Sequence, residues 1–160
     1  MGNKSWWSAL ELKVSPPLVV IFSGALAFGL AAGQWAPLRL GLTARCGLGL
    51  ALAGVGLAII LSAGRLFLKN KTTWKPRQPD KSAALVVAGI YRHTRNPMYL
   101  GMLLVLSGWV VALGDALGFA GCLFLVGYLT RFQIIPEERF LAAKFGADYL
   151  AYQRRVRRWI

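Results

Sequence analysis

The sequence predicts an all-α integral membrane domain with about four transmembrane helices and a C-terminal amphipathic interfacial helix. The chain has 160 residues, of which 56% are hydrophobic and only 16% are charged, with a mean hydropathy of +0.51. A chain of this length has room for one domain, and this composition leaves too little polar surface for a water-soluble one. We therefore treat residues 1–160 as a single membrane domain.

Four apolar stretches approach the roughly 20 residues that a helix needs to cross the hydrocarbon core. They cover about residues 17–33, 45–64, 97–113 and 115–132. Only Gly114 separates the last two, and Asp115 is placed to cap the next helix, so these two spans predict a tight antiparallel hairpin. Small residues favour close helix packing in lipid, and the predicted packing positions are Gly29, Gly33, Gly54, Gly114 and Gly118.

The basic residues predict the orientation. Of the 19 Lys and Arg residues, all but Arg39 and Arg45 lie before the first span, in the loop 65–96, or from Arg131 onward. Short loops rich in Lys and Arg face the cytoplasm. The sequence therefore predicts that both termini and the long loop are cytoplasmic.

The placement of the charged residues and cysteines argues against a nucleic-acid binder and against a metal site. The net charge is +13, but nucleic-acid binders carry their basic residues on a soluble fold, whereas here they lie between apolar spans. Cys46 and Cys122 fall inside apolar spans and lack metal-ligand spacing. We therefore predict no nucleic-acid partner and no metal site.

The loop 65–96 and the tail 133–160 contain enough polar residues to build a site. The hairpin brings the start of the third span beside Pro136, Glu137 and Glu138. One interpretation is structural, because Pro136 can begin a helix whose first turn favours two carboxylates. The other is functional, because an acidic pair at the edge of a membrane suits a cationic ligand.

A second motif precedes the third span. Tyr91, Arg95, Asn96 and Tyr99 lie at the same predicted boundary, and aromatic and hydrogen-bonding groups together suit a ligand with a ring and a polar tail. His93 is the only histidine. A lone histidine beside arginines on a loop is more often solvated than catalytic.

The tail contains an apolar stripe on an otherwise basic helix. Its members recur every three or four residues and are Leu141, Phe145, Tyr149, Tyr152, Val156 and Trp159. Such a helix is expected to lie along the membrane surface. Its last four arginines, Arg154, Arg155, Arg157 and Arg158, are expected to face anionic headgroups.

Together these motifs resemble the isoprenylcysteine carboxyl methyltransferase and phospholipid methyltransferase group of membrane enzymes, particularly its short bacterial members. The resemblance covers roughly residues 74–160. It depends on three segments in order, which are Gly89-x-Tyr91, the run Arg95-Asn96-Pro97-Met98-Tyr99-Leu100-Gly101, and Glu137-Glu138 followed by Phe145-Gly146-x-x-Tyr149-x-x-Tyr152-x-x-x-Val156-x-Arg158. The resemblance implies a protein of the bacterial inner membrane that works among membrane lipids.

The resemblance implies S-adenosylmethionine as cofactor, held in the C-terminal half without a Rossmann fold. The residues implied to bind it are Leu85, Val86, Gly89, Tyr91, Arg95, Asn96, Pro97, Met98, Tyr99, Glu137 and Glu138. Carboxylate and aromatic neighbours suit its ammonium and sulfonium groups. The partner is then a lipophilic methyl acceptor.

The chain departs from the group at two positions. Asn96 stands where members with Arg-His-Pro carry a histidine, and Gln133 stands where enzymes that methylate a prenylated cysteine carboxylate tend to have an arginine. We assign Gln133 and the nearby Arg131 to the substrate. A carboxylate acceptor needs no general base, whereas an amine or thiol must lose a proton, for which Glu138 and Tyr99 are the candidate catalytic residues.

The sequence leaves the acceptor, the choice of O-, N- or S-methylation and the oligomeric state open. Two other functions are also open. One is a membrane reductase of similar architecture that uses NADPH, since the basic loop suits a phosphate-rich cofactor. The other is a membrane scaffold without enzymatic activity.

Overall fold

The computed structural model describes residues 11–69 and 85–160, and the regular secondary structure in these two ranges is helical. The α-helices are α1 (Pro16–Ala31), α2 (Leu42–Lys69), α3 (Pro97–Leu113), α4 (Phe119–Leu129) and α5 (Ile135–Arg155). Short 3-10 helices, Gly89–Arg92 and Ala116–Gly118, precede α3 and α4, and a π-helical turn, Thr130–Ile134, joins α4 to α5. The predicted all-α class is confirmed.

The four predicted spans correspond to helices of different length. In the described ranges, two helical stretches are long and apolar enough to cross a membrane, Leu42–Lys69 and the continuous run Ala116–Arg155. The other two, α1 and α3, are apolar but have only 16 and 17 residues. At 1.5 Å per residue they measure about 24–26 Å, somewhat less than the roughly 30 Å of a hydrocarbon core. Residues 70–84 of the predicted cytoplasmic loop lie outside the described residues.

The predicted hairpin between α3 and α4 is present. Gly114 ends α3 with a φ of +78°, in the left-handed region that glycine adopts without steric cost. The buried Asp115 carboxylate accepts from the Leu117 backbone N–H at 2.8 Å, which is the predicted cap. It also accepts from the Ala36 backbone N–H at 2.8 Å. Asp115 therefore joins the hairpin to the loop between α1 and α2.

Helices α2 and α3 pack closely through facing glycines. A Cβ added to Gly56 would lie 2.5 Å from the Gly101 carbonyl oxygen, and one on Gly101 would lie 2.6 Å from the Gly56 carbonyl oxygen. Gly49 and Gly108 face each other in the same way. Two helices can approach each other this closely only where both have glycine at the point of contact.

These glycines are not the ones predicted to mediate packing. Gly29 and Gly54 have no atom within 4 Å of an added Cβ, so the prediction is wrong for both. Gly118 does face a neighbouring helix, since a Cβ added to it would lie 3.0 Å from Val110 Cγ1. The pattern of small residues along one helix does not reveal which face its neighbour covers.

A leucine at Gly56 is expected to separate α2 from α3. Overpacking of this kind costs about 1–3 kcal/mol or more, because the new Cβ meets backbone rather than a movable side chain. The measurement is the thermal unfolding midpoint in detergent. Gly54→Leu lies on the same helix and faces open space, so it is the matched control and should unfold close to the wild type. Equal losses for the two variants would contradict the packing assignment.

The C-terminal segment differs from the predicted surface helix. Helix α5 continues from α4 through the π-helical turn, and Gly146 interrupts it with a φ of +50° and a ψ of −123°. Tyr149, Tyr152 and Val156 are buried and pack with Leu85. This apolar stripe faces the protein, and the chain after α5 contacts the segment before α3, where the Arg95 backbone N–H donates to the Arg157 carbonyl oxygen.

Candidate functional site

The site begins with a direct contact between the first turns of α3 and α5. The Tyr99 hydroxyl donates to Glu137 Oε1 at 2.6 Å. Both residues lie near the helix ends that the hairpin was predicted to bring together, although 38 positions separate them in the sequence. Tyr99 is buried and Glu137 is partly buried.

Three further tyrosines lie around this pair. Tyr91 and Tyr149 are buried and close enough to sense the charge of Glu137. The Tyr152 hydroxyl donates to the Tyr91 carbonyl oxygen at 2.8 Å. Burial raises the pKa of Tyr91, Tyr149 and Tyr152 above its usual range, so their hydroxyls stay neutral. The Tyr91 ring also meets the Phe67 ring edge-on at 5.6 Å.

Burial dominates the electrostatics of Glu137. Loss of solvation raises the pKa of its carboxyl to about 8, the hydrogen bond from Tyr99 opposes this rise, and the charge of Glu138 adds to it. A cation placed against this carboxylate would stabilise its charged form. Perturbed acids of this kind concentrate at functional sites.

Glu138 has a different environment from Glu137. Arg158 binds it with two contacts, Nε to Oε1 at 3.1 Å and Nη2 to Oε2 at 2.7 Å, and Arg95 Nη2 lies 3.1 Å from Oε1. The side chains of Glu138 and Arg95 are only 11% and 10% exposed. Two guanidinium groups therefore occupy both carboxylate oxygens. We call this cluster of Arg95, Glu138 and Arg158 the arginine clamp.

Main-chain contacts hold the C-terminal segment beside the clamp. Asn96 Nδ2 donates to the Arg158 carbonyl oxygen at 2.9 Å, and Thr94 Oγ1 donates to the same oxygen at 3.3 Å. The Arg95 backbone N–H donates to the Arg157 carbonyl oxygen at 3.0 Å. The prediction that Arg158 faces lipid headgroups is therefore wrong, because its guanidinium points to Glu138.

A comparison with known protein families shows which family this chain belongs to. A family model described as phospholipid methyltransferase matches residues 44–148, more than half of the chain. The chain belongs to the phospholipid methyltransferase family. The resemblance drawn from the sequence motifs is confirmed, and the family match indicates a membrane-associated methyltransferase that acts on lipid-like substrates. It does not favour the reductase.

One relative of this family member is an uncharacterised protein of Haemophilus influenzae. It is 41% identical over 63 residues, which are 39% of this chain and 100% of that protein. No solved structure matches the chain.

The structure brings the predicted cofactor residues of this family member together to different degrees. Val86 and Met98 pack in one apolar cluster with Tyr91, and Leu85 packs on Tyr149 and Tyr152. Gly89 has a φ of +59°, in the region that favours glycine. Pro97 is buried at the start of α3. His93 is exposed, as expected for a solvated side chain.

The two predicted substrate residues lie on the π-helical turn and contact the segment before α1. Arg131 Nη1 lies 2.6 Å from Glu11 Oε1, and Gln133 Nε2 donates to the Val14 carbonyl oxygen at 2.6 Å. Gln133 is fully buried, and its Oε1 has no hydrogen-bond partner in the described chain. Their assignment to the substrate remains a prediction.

Sequence reasoning missed Glu11 and the pairing inside the clamp. The available signal was the scarcity of acids, since the chain has 6 Asp and Glu residues against 19 Lys and Arg. Each buried acid in such a chain is expected to attract basic partners. The spacing Val156-x-Arg158 in the family motif also marked Arg158 apart from the neighbouring arginines.

Proposed function

We propose that this chain is an integral membrane methyltransferase that uses S-adenosylmethionine. Its acceptor would be lipophilic, either similar to an isoprenylcysteine carboxylate or another lipid or small hydrophobic molecule, and the site would lie at the cytoplasmic membrane boundary. The observation that carries the proposal is the Tyr99–Glu137 contact at 2.6 Å among buried tyrosines. The family membership supports the class of reaction.

The donor set fits the cofactor. The Glu137 carboxylate, whose pKa is raised by burial, suits the ammonium of the cofactor's amino-acid tail. Aromatic faces at Tyr91 and Tyr149 suit its sulfonium and its adenine ring. Arg95 Nε is a buried donor without a hydrogen-bond partner in the described chain, and the carboxylate of the same tail would satisfy it.

When bound, S-adenosylmethionine would supply an electrophilic methyl group for in-line transfer. The protein would align the acceptor and exclude water from the buried tyrosines. For an amine or thiol acceptor, the Tyr99 hydroxyl would take up the proton that the acceptor loses while passing its own proton to the Glu137 carboxylate. Glu138 was also predicted for this step, but it would first have to leave two guanidinium groups, so we favour Tyr99 with Glu137.

The proposed membrane arrangement has four spans and cytoplasmic termini. Helix α2 is strongly apolar and mostly exposed, unlike a core helix of a soluble protein, with large apolar side chains at Leu48, Leu50, Val55, Leu57 and Leu61 open to the surroundings. Lipid is the solvent that suits such a surface. The shorter α1 and α3 would span with local thinning of the bilayer.

The decisive experiment compares cofactors on the purified full-length chain in detergent. S-adenosylhomocysteine is expected to raise the thermal unfolding midpoint and to give a saturable calorimetric isotherm, while NADPH should give neither. Incubation with S-adenosylmethionine carrying a labelled methyl group and a bacterial lipid extract should then label an organic-soluble product. Stabilisation by NADPH alone would favour the reductase and contradict the proposal.

A further inference from the structure

A second polar cluster lies outside the proposed cofactor site, and we call it the Glu11 cluster. It consists of Glu11, Arg131 and Arg139. Arg131 Nη1 lies 2.6 Å from Glu11 Oε1, and Arg139 donates to both Glu11 oxygens at 3.3 Å. The hydrogen bond from Arg131 holds the pKa of Glu11 below its usual range, so this carboxylate is charged at neutral pH. One carboxylate faces two guanidinium groups, which leaves an excess of positive charge.

An open cavity of about 320 Å³ lies beside the cluster. Its lining consists of Glu11, Pro136, Arg139, Phe140 and Ala143. The four α5 residues of this lining lie at positions i, i+3, i+4 and i+7, so they share one face of the helix. Tyr99 is not among these lining residues, although it binds Glu137. The cavity is therefore separate from the pair of Tyr99 and Glu137.

The chemistry of the cavity is that of an amphiphile site. Arg139 is 59% exposed and Phe140 is 48% exposed, so a guanidinium and an aromatic ring are both open to a ligand from the same cavity. Guanidinium groups bind carboxylates and phosphates through paired hydrogen bonds. The walls formed by Pro136, Phe140 and Ala143 are apolar. A ligand that matches both the guanidinium group and the apolar walls has an anionic head and a hydrocarbon chain.

We propose that this cavity binds an anionic amphiphile whose carboxylate or phosphate head pairs with Arg139. Glu11 is the internal counter-ion of this site and competes with the head for the Arg139 guanidinium. The ligand comes either from the bilayer, as an acidic phospholipid, or from solution, as a free acidic amphiphile. This proposal does not depend on the methyltransferase activity.

The test measures binding to the purified full-length chain by native mass spectrometry and thermal shift. The probes are dodecyl phosphate, dodecanoate and phosphatidylglycerol, with inorganic phosphate as the head alone and dodecylphosphocholine as a zwitterion with the same chain. We expect the three anionic amphiphiles to bind and the two comparison compounds to bind at least about tenfold more weakly. Phosphatidylglycerol alone would identify a bilayer lipid as the source, and dodecanoate or dodecyl phosphate alone would identify a free amphiphile.

Three variants distinguish a built site from general attraction of anions to a basic surface. Arg139→Gln should weaken dodecyl phosphate binding by about tenfold, whereas Arg154→Gln, which removes an exposed cation from the same helix, should not. Glu11→Gln should tighten binding, because it removes the competing carboxylate. Equal losses for Arg139→Gln and Arg154→Gln, or weaker binding by a folded Glu11→Gln variant, would overturn the proposal.

Discussion

Replacing Glu137 by glutamine is expected to weaken S-adenosylhomocysteine binding by roughly 10- to 100-fold. Contacts between a buried charge and its partner contribute about 1.5–3 kcal/mol, and glutamine keeps the shape of the side chain while removing its charge. The measurement is the dissociation constant from calorimetry in detergent. Methyl transfer should fall at least as much as binding, because Glu137 also accepts the Tyr99 hydrogen bond.

The same carboxylate predicts a pH dependence with a definite sign. Because the pKa of Glu137 is raised to about 8, the group carries a proton at lower pH, and a cationic ligand must expel it. Affinity should therefore increase with pH, by up to about tenfold per unit between pH 6 and 8. The Glu137→Gln variant should lose this slope.

Two further variants test whether Glu137 is the group that causes the pH dependence. Tyr99→Phe removes the hydrogen bond that opposes the raised pKa, so the midpoint of the pH dependence should move to higher pH. Asp148→Asn removes an exposed carboxylate from the same helix and should bind like the wild type. A pH slope that survives in Glu137→Gln would show that another group titrates.

Replacing Glu138 by glutamine is expected to unfold the end of α5 and destabilise the whole protein. Removing one partner of a buried ion pair costs about 3–5 kcal/mol, and the partial exposure of Arg158, 37% of its side chain, reduces this to roughly 2–3 kcal/mol here. Arg95 would keep a buried charge without a carboxylate. The measurement is the unfolding midpoint in detergent.

The arginine clamp also predicts a local effect on the C-terminal segment. Trypsin should cleave after Arg155 and Arg157 faster in Glu138→Gln than in the wild type, because the segment loses its ionic contact. Arg158→Gln should have a smaller effect on stability, since Arg95 still compensates Glu138. If Glu138→Gln and Asp148→Asn unfold at the same temperature, the clamp does not stabilise the fold.

Several parts of the fold could be predicted because they depend on local chemistry. The third apolar span matches α3 at both ends, since Pro97 begins a helix and Gly114 ends one. The hairpin followed from a single glycine between two apolar runs. The meeting of Tyr99 with the Glu137 segment then followed from the hairpin, because antiparallel helices joined at one end bring their other ends together.

Other parts depend on partners that are distant in sequence. The sequence placed Glu137 and Glu138 side by side and gave no reason to separate their roles. Their side chains leave α5 about 100° apart, so Glu137 meets Tyr99 while Glu138 meets Arg95 and Arg158. A difference of one residue on a helix therefore decides which acid is buried with a tyrosine and which is held by two arginines.

The sequence by itself determined the helical class, the apolar character, the hairpin and the family motifs. These features follow from composition, periodicity and turn residues, whose effects extend over a few positions. Only the tertiary structure decided which glycines touch, which arginine turns inward and how Glu11 reaches the π-helical turn 120 residues away. Those contacts arise from the way whole helices pack, and the stripe along any one helix does not specify its neighbour.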